Sequence, residues 1–358
     1  MNSPQPYQQA IGLLKQLIAT PSFSKEEQSS AKVLVDFFST QNIPVEQIGN
    51  NVIVRNLHFD ENKSTILLNS HHDTIKPNSG YSLDPFEPIE KGGKLFGLGS
   101  NDAGGALVSL IMTLLHFYDH QLPYNLMLIA SAEEEISGKG GIESVLAQVP
   151  NCELALVGEP TEMNMAVAEK GLMVLDCYVK GESGHAARDL GDNAIYKAVP
   201  DIEWFKTFQF EKVSSHLGPV KMTVTQINSG TQHNVIPDAC HFVVDVRSTD
   251  TYSNQELLDI IQSKVSCEVV ARSTRLNPSN LPTDHPISKL ADELKIKKFG
   301  SPTLSDQALI PFPSFKMGPG KSERSHTADE YIFLYEIEEG IAGYTQLLEA
   351  FFNQSTRL

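Results

Sequence analysis

Imidazoles and carboxylates stand in this sequence in short clusters whose spacing suits metal chemistry. His71-His72-Asp73 sets an imidazole and a carboxylate two residues apart, so both face one side if the backbone stays extended. Glu133-Glu134-Glu135 is a run of three carboxylates, and Glu159 lies in Gly158-Glu159-Pro160. Asp102 follows Gly97-Leu98-Gly99-Ser100-Asn101 and precedes Gly104-Gly105, and His326 lies in Ser325-His326-Thr327-Ala328-Asp329-Glu330. That many carboxylates converging unpaired would repel and raise one another's pKa, whereas a bound dication compensates them. Oxygen and imidazole donors without cysteine fit a catalytic Zn²⁺, Co²⁺ or Mn²⁺ site with an open position better than a closed structural one. Such an ion polarises a carbonyl and acidifies water, and a carboxylate beside it can take the water's proton. In an adjacent glutamate pair one residue binds metal and the other is the base.

Each cluster also has a plainer account. Asp102 could cap the helix that follows it, and His326 could be an ordinary surface or capping histidine. The Glu133–Glu135 triplet could be a solvated helix start, where acidic residues are favoured, and His71–Asp73 a polar turn. A phosphate-cradling loop at Gly97–Gly105 lacks the Gly-Lys-Ser/Thr it would need. The joint occurrence of these groups at the ends of buried strands favours the metal reading.

Those strands are short apolar runs at 51–54, 65–68, 126–130, 154–157 and 314–317. His71 follows the second, Glu133 to Glu135 the third and Glu159 the fourth. Helical spacing marks 7–19, Ser24 and Glu27 resemble a capping box opening a second helix, and 105–118 reads as a long buried helix. Buried strands alternating with helices predict an α/β fold with a mixed, mostly parallel sheet flanked by helices, which binds ligands at the strand carboxyl ends. Between about 173 and 283 the pattern changes. Runs at 173–180, 220–225 and 241–246 are closer to alternation, with amphipathic helices at 193–205 and 254–263, which predicts an inserted α+β domain with a half-exposed antiparallel sheet. The expected organisation is a discontinuous catalytic domain (1–172 and 284–358) and an insert (173–283).

The 358 residues are 41% hydrophobic, and 28 basic against 44 acidic residues leave a net charge of −16. That charge repels phosphate backbones and anionic membranes, so neither nucleic acid nor membrane is an expected partner. The N-terminus has no basic stretch leading into an apolar one, and no run approaches the roughly 18 apolar residues of a spanning helix, so a cytoplasmic protein is expected. Cys152, Cys177, Cys240 and Cys267 are far apart and read as reduced core thiols.

In these residues the chain resembles the family of zinc aminoacylases and carboxypeptidases (peptidase family M20) that includes acetylornithine deacetylase and succinyl-diaminopimelate desuccinylase. The resemblance spans Ser70-His71-His72-Asp73, Gly97 to Asp102, Ala132 to Glu135, Val157 to Thr161, Gly184-His185-Ala186-Ala187, Asn234 to Asp238 and Ser325 to Glu330. It implies a zinc-exopeptidase-like catalytic domain with a ferredoxin-like lid and dimerisation domain. His71, Asp102 and Glu159 would surround one ion and Asp102, Glu135 and His326 the other, with Asp102 bridging. Glu134 would be the general base, Asp73 would orient His71, and a cis peptide would follow Asp102. In the insert, His185 would reach a partner subunit's site to stabilise the oxyanion. Asn234 and Arg247 would handle the substrate carboxylate, although Arg247 could equally be a salt-bridged strand residue.

Two single positions and one four-residue run depart from the family pattern: Gly104 stands where a lysine is common, Glu133 replaces an aspartate, and Thr74-Ile75-Lys76-Pro77 replaces a Val-Val-Pro-like run. The implied activity is hydrolysis of the N-acyl amide of a small amino acid by a homodimer, with N-acetylornithine or an N-acetyl or N-succinyl ornithine or citrulline analogue as substrate. The alternatives are succinyl-diaminopimelate desuccinylase, a metallo di- or tripeptidase and a non-catalytic binding protein.

Overall fold

The computed structural model describes residues 5–188 and 190–355; Met1 to Pro4, part of the N-terminal stretch read for a leader, lie outside them. The chain forms α1 (Pro6–Ile18), α2 (Gln28–Ser39), β1 (Glu46–Ile48), β2 (Asn51–Arg55), β3 (Thr65–His71), β4 (Ile89–Lys91), β5 (Lys94–Phe96), α3 (Gly105–Phe117), β6 (Asn125–Ser131), β7 (Cys152–Gly158) and β8 (Met165–Glu169). It continues through β9 (Gly171–Lys180), β10 (Gly184–His185), α4 (Ala194–Thr207), β11 (Lys221–Ser229), β12 (Val235–Ile236), β13 (Ala239–Ser248), α5 (Asn254–Gln262), β14 (Glu268–Ala271) and β15 (Ser279–Asn280). It ends with α6 (Pro286–Glu293), β16 (Lys298–Ser301), β17 (Ser314–Met317), β18 (Tyr331–Phe333) and α7 (Leu334–Ser355).

Two compact units result. The first comprises Met1–Val167, Asn280–Phe299 and Ser305–Leu358, the second Ala168–Ser279 and Gly300–Leu304. The sheet of the first unit runs β1-β2-β6-β3-β7-β17-β8. Its centre is parallel (β3 with β6 and β7, β7 with β17), and antiparallel pairs flank it (β1 with β2, β2 with β6, β17 with β8). It is the expected α/β architecture. Strands of this kind are apolar on both faces because both are covered. Ile66 and Leu68 of β3 join a core with Leu107, Leu110 and Phe351, while Leu67 joins Ile142, Val145 and Ile310 on the other side. Helix α3, buried along almost its whole length, packs against α1 and α7. No helix among the described residues is long and apolar enough to cross a membrane.

The second unit has a four-stranded antiparallel sheet, β11-β13-β9-β14, with α4 and α5 on one face. Inward residues alternate, as in Met173, Leu175, Cys177 and Val179 of β9. Asn193 caps α4 and a Ser253–Glu256 capping box opens α5. The pair expected to cap α2 does otherwise. Helix α2 starts one residue after Glu27 with no side-chain cap, because both side chains are drawn to tertiary partners: Ser24 Oγ donates to Asp73, and the buried Glu27 carboxylate accepts from Asn50 Nδ2 and Glu133 N as well as from the neighbouring Lys25 N.

Candidate metal centre

Three parallel strands deliver the first groups. β3 ends on His71, the turn after β6 carries Glu133 to Glu135, and β7 runs into Glu159. His71 Nε2 lies 3.4 Å from Asp102 Oδ1 and 3.9 Å from both Glu134 Oε2 and Glu159 Oε1. On the other side His326 Nε2 lies 3.6 Å from Asp102 Oδ2 and 3.0 Å from Glu135 Oε2. Asp102 thus turns one carboxylate oxygen to each imidazole. Donor atoms of His71, Asp102 and Glu135 fall within 4.8 Å of one another. Asp102 begins the cis peptide Asp102–Ala103, just before α3. His326 sits on a loop with left-handed backbone, φ 60°.

The loops are held by carboxylates. Asp73 Oδ1 lies 3.3 Å from His71 Nδ1, and the Asp73 carboxylate accepts from the N–H groups of Glu134 and Glu135 at 3.1 and 3.2 Å. Glu133 has φ 55°, and its carboxylate turns onto the Gly138–Gly140 bend, accepting from Gly140 N. The three adjacent glutamates therefore part ways: Glu133 braces the loop, Glu134 faces His71 and Glu135 faces His326.

Acid outnumbers base here, and the proton balance shows it. Burial would lower the His71 pKa, but Glu134, Asp102 and Asp73 hold it well above its usual value. Burial pushes the Glu134 carboxyl well up, His71 opposes this, and Glu159, Asp306 and Glu135 add to it. His326 rises to about 9, chiefly through its hydrogen bond to Glu135. Burial pushes Asp306 up to about 6, against the hydrogen bond from Ser131 Oγ, which lowers it. Carboxylates gathered this closely around two imidazoles are compensated by a dication, and the donors are the oxygen and nitrogen types that catalytic Zn²⁺ takes.

The expected ligands, base and Asp73 are therefore gathered in the first unit. The other three expected residues lie in the second. His185 pairs with Val235 in the short β10–β12 ladder, and Ala186 N donates to the carbonyl of Asn234, so His185 and Asn234 are neighbours. His185 is exposed, its Nδ1 accepting from Ala187 N. Arg247, on β13, forks onto Asp245 at 2.9 and 3.1 Å, the salt-bridged arrangement left open above. Sequence reasoning gave no site role to Glu27, read as half of a capping box, to Glu330, named only within the Ser325–Glu330 motif, or to Asp306, all buried carboxylates. An acid inside an otherwise apolar or loop segment is the faint signal they left, but their partners are remote in sequence.

Residues 67–350 match the family described as Peptidase family M20/M25/M40. The chain belongs to that family. As an M20 protein it is a metal-dependent hydrolase. It is 29% identical over 378 residues to an acetylornithine deacetylase of Proteus mirabilis, covering 95% of this chain and 96% of that one. Its fold resembles an aminopeptidase of Bacillus cereus (TM-score 0.74, 17% identity, 96% and 98% covered). It also resembles a Bacillus subtilis protein described as a dinuclear metal-binding peptidase of the M20 family (TM-score 0.72, 16% identity, 97% and 99% covered).

Proposed function

We propose that this M20 protein hydrolyses the N-acyl amide of a small amino acid, with N-acetylornithine or an N-acetyl or N-succinyl ornithine or citrulline analogue as its substrate. The observation that carries this reading is the Asp102 carboxylate, with one oxygen toward His71 and the other toward His326. It supports two ions, Zn²⁺ or Co²⁺ or Mn²⁺, one among His71, Asp102 and Glu159 and one among Asp102, Glu135 and His326. Bound there, they would polarise the acyl carbonyl and acidify water. Glu134, held over His71 by the Asp73 carboxylate at its own N–H, takes the proton of the attacking water and returns it to the departing amine. The acetylornithine deacetylase relative supports the substrate class. In this reading His185 and Asn234 act from the β10–β12 ladder in a cytoplasmic homodimer joined through the second unit, and Arg247 would have to trade Asp245 for a substrate carboxylate.

The test is amine release by purified protein with Zn²⁺ or Co²⁺, and again with chelator, across N-acetyl and N-succinyl ornithine, citrulline and diaminopimelate and a few dipeptides. Chelator-sensitive turnover of one acylated amino acid is expected; turnover of dipeptides alone would replace this reading by a peptidase. Glu134→Gln is expected to keep its metal and lose about 10²- to 10⁴-fold in kcat. Full turnover with metal in place would remove Glu134 from the role.

A further inference from the structure

Glu330 is 2% exposed. Its carboxylate takes three backbone N–H groups of the turn that carries Asp102: Oε1 accepts from Asn101 (2.8 Å) and Asp102 (2.9 Å), and Oε2 from Gly99 (3.0 Å). The Glu330 carbonyl accepts a fourth, from Gly97 N at 3.0 Å. A buried carboxylate is costly unless its lone pairs are filled, and three amides of one turn fill them with charge-assisted bonds. Glu330 lies only four residues after His326, so the same short segment carries an imidazole of the candidate centre and grips the backbone of its central aspartate. A second latch joins the two segments: Asn101 Nδ2 donates to the carbonyl of Lys321 and Asn101 Oδ1 accepts from Lys321 N, both at 3.0 Å. The outer side of the loop is fixed separately, by Asp329 accepting from the N–H groups of Ser82 and Leu83 at 2.8 and 2.9 Å.

We infer that Glu330 is a positioning residue that ties the Asp102 turn and the His326 loop into one piece, and thereby sets how tightly the centre holds its ions. This rests on the metal reading above. Without Glu330 the N–H of Asp102 loses its acceptor, and the carboxylate that faces both imidazoles loses its fixed orientation. Glutamine cannot substitute fully, since it offers one acceptor oxygen where two are used and turns an NH₂ toward an N–H donor. Groups that orient ligands in this way typically govern metal affinity by about 10- to 100-fold.

The experiment is calorimetric titration of Zn²⁺ into chelated wild-type protein, Glu330→Gln and Glu330→Ala, with melting curves of the chelated proteins and absorption spectra after Co²⁺ loading. The expected result is a loss of about 10- to 100-fold in affinity for Glu330→Gln and a larger one for Glu330→Ala, with an altered cobalt spectrum and a retained melting transition for chelated Glu330→Gln. Wild-type affinity and spectrum in Glu330→Gln would overturn the inference. So would a chelated Glu330→Gln that has lost the melting transition, which would assign Glu330 to folding alone. Wild-type protein that takes up no ion would overturn the metal reading itself, a result distinct from either.

Discussion

Asp73 lies beneath His71, its Oδ1 3.3 Å from Nδ1, and the same carboxylate accepts the N–H groups of Glu134 and Glu135. The Asp73 backbone carbonyl lies nearer, 2.9 Å from the same Nδ1, so Asp73 aims the imidazole that ends β3 through both its carbonyl and its carboxylate, and the carboxylate shapes the turn that follows β6. Asp73→Asn keeps the size but gives up the charge and leaves one fewer acceptor for those amides. It is expected to lower metal affinity by about 10- to 100-fold and kcat with it. Zinc content after dialysis against graded chelator would check this; unchanged zinc retention would show that the charge is not needed.

Gly104, just after the cis peptide Asp102–Ala103, is closed by packing. A Cβ there would stand 2.4 Å from the carbonyl oxygen of Gly99 and 2.6 Å from Leu14 Cδ1. Gly104→Ala is expected to destabilise the fold by about 1–3 kcal/mol through overpacking, and Gly104→Lys by at least as much. Urea unfolding of the chelated proteins gives the measurement.

The thiols are expected to be inert. Burial pushes Cys152 up to about 12, and Cys177 is raised by its hydrogen bond to Cys267 and by burial. All four cysteines are free. The thiolate is the reactive form, so an aromatic disulfide reagent at pH 7–8 should label the native protein slowly and all four thiols once the chain is unfolded. Rapid native labelling of Cys152 or Cys177 would contradict this.

Asp176 in the second unit accepts from both Arg272 and His241, and the Arg272 fork first, then His241, brings its carboxyl down to about 2. A depressed carboxyl pKa gives stability that is present above the ordinary value near 4 and lost as pH falls toward 2. Asp176→Asn should therefore melt below wild type at pH 6 and converge with it near pH 2. The gap should stay within about 1 kcal/mol, since the Arg272 side chain is 55% exposed and solvent screens the pair. A gap that persists at pH 2 would trace the loss to packing instead.

The sequence by itself determined the strand ends. Three apolar runs long enough for a buried strand, each followed within three residues by an acid or imidazole, fix where His71, Glu133 to Glu135 and Glu159 must emerge, because a parallel sheet covered on both faces leaves its carboxyl edge as the open place. Local patterns also marked α3, β17 and the alternation of the second unit. Tertiary structure decided the rest. Ser24 and Glu27 have the spacing of a capping box, yet their side chains go to Asp73, Asn50 and Glu133, partners that exist only once the sheet has formed. Arg247 had two readings open to it, and only the fold shows its fork on Asp245. Glu330 stands in the Ser325–Glu330 motif, but nothing local reveals what it holds, since its carboxylate's partners are amides 228 to 231 residues away. Spacing records what a residue can reach along its own strand or helix; which buried carboxylate meets which backbone amide depends on loops brought together from opposite ends of the chain.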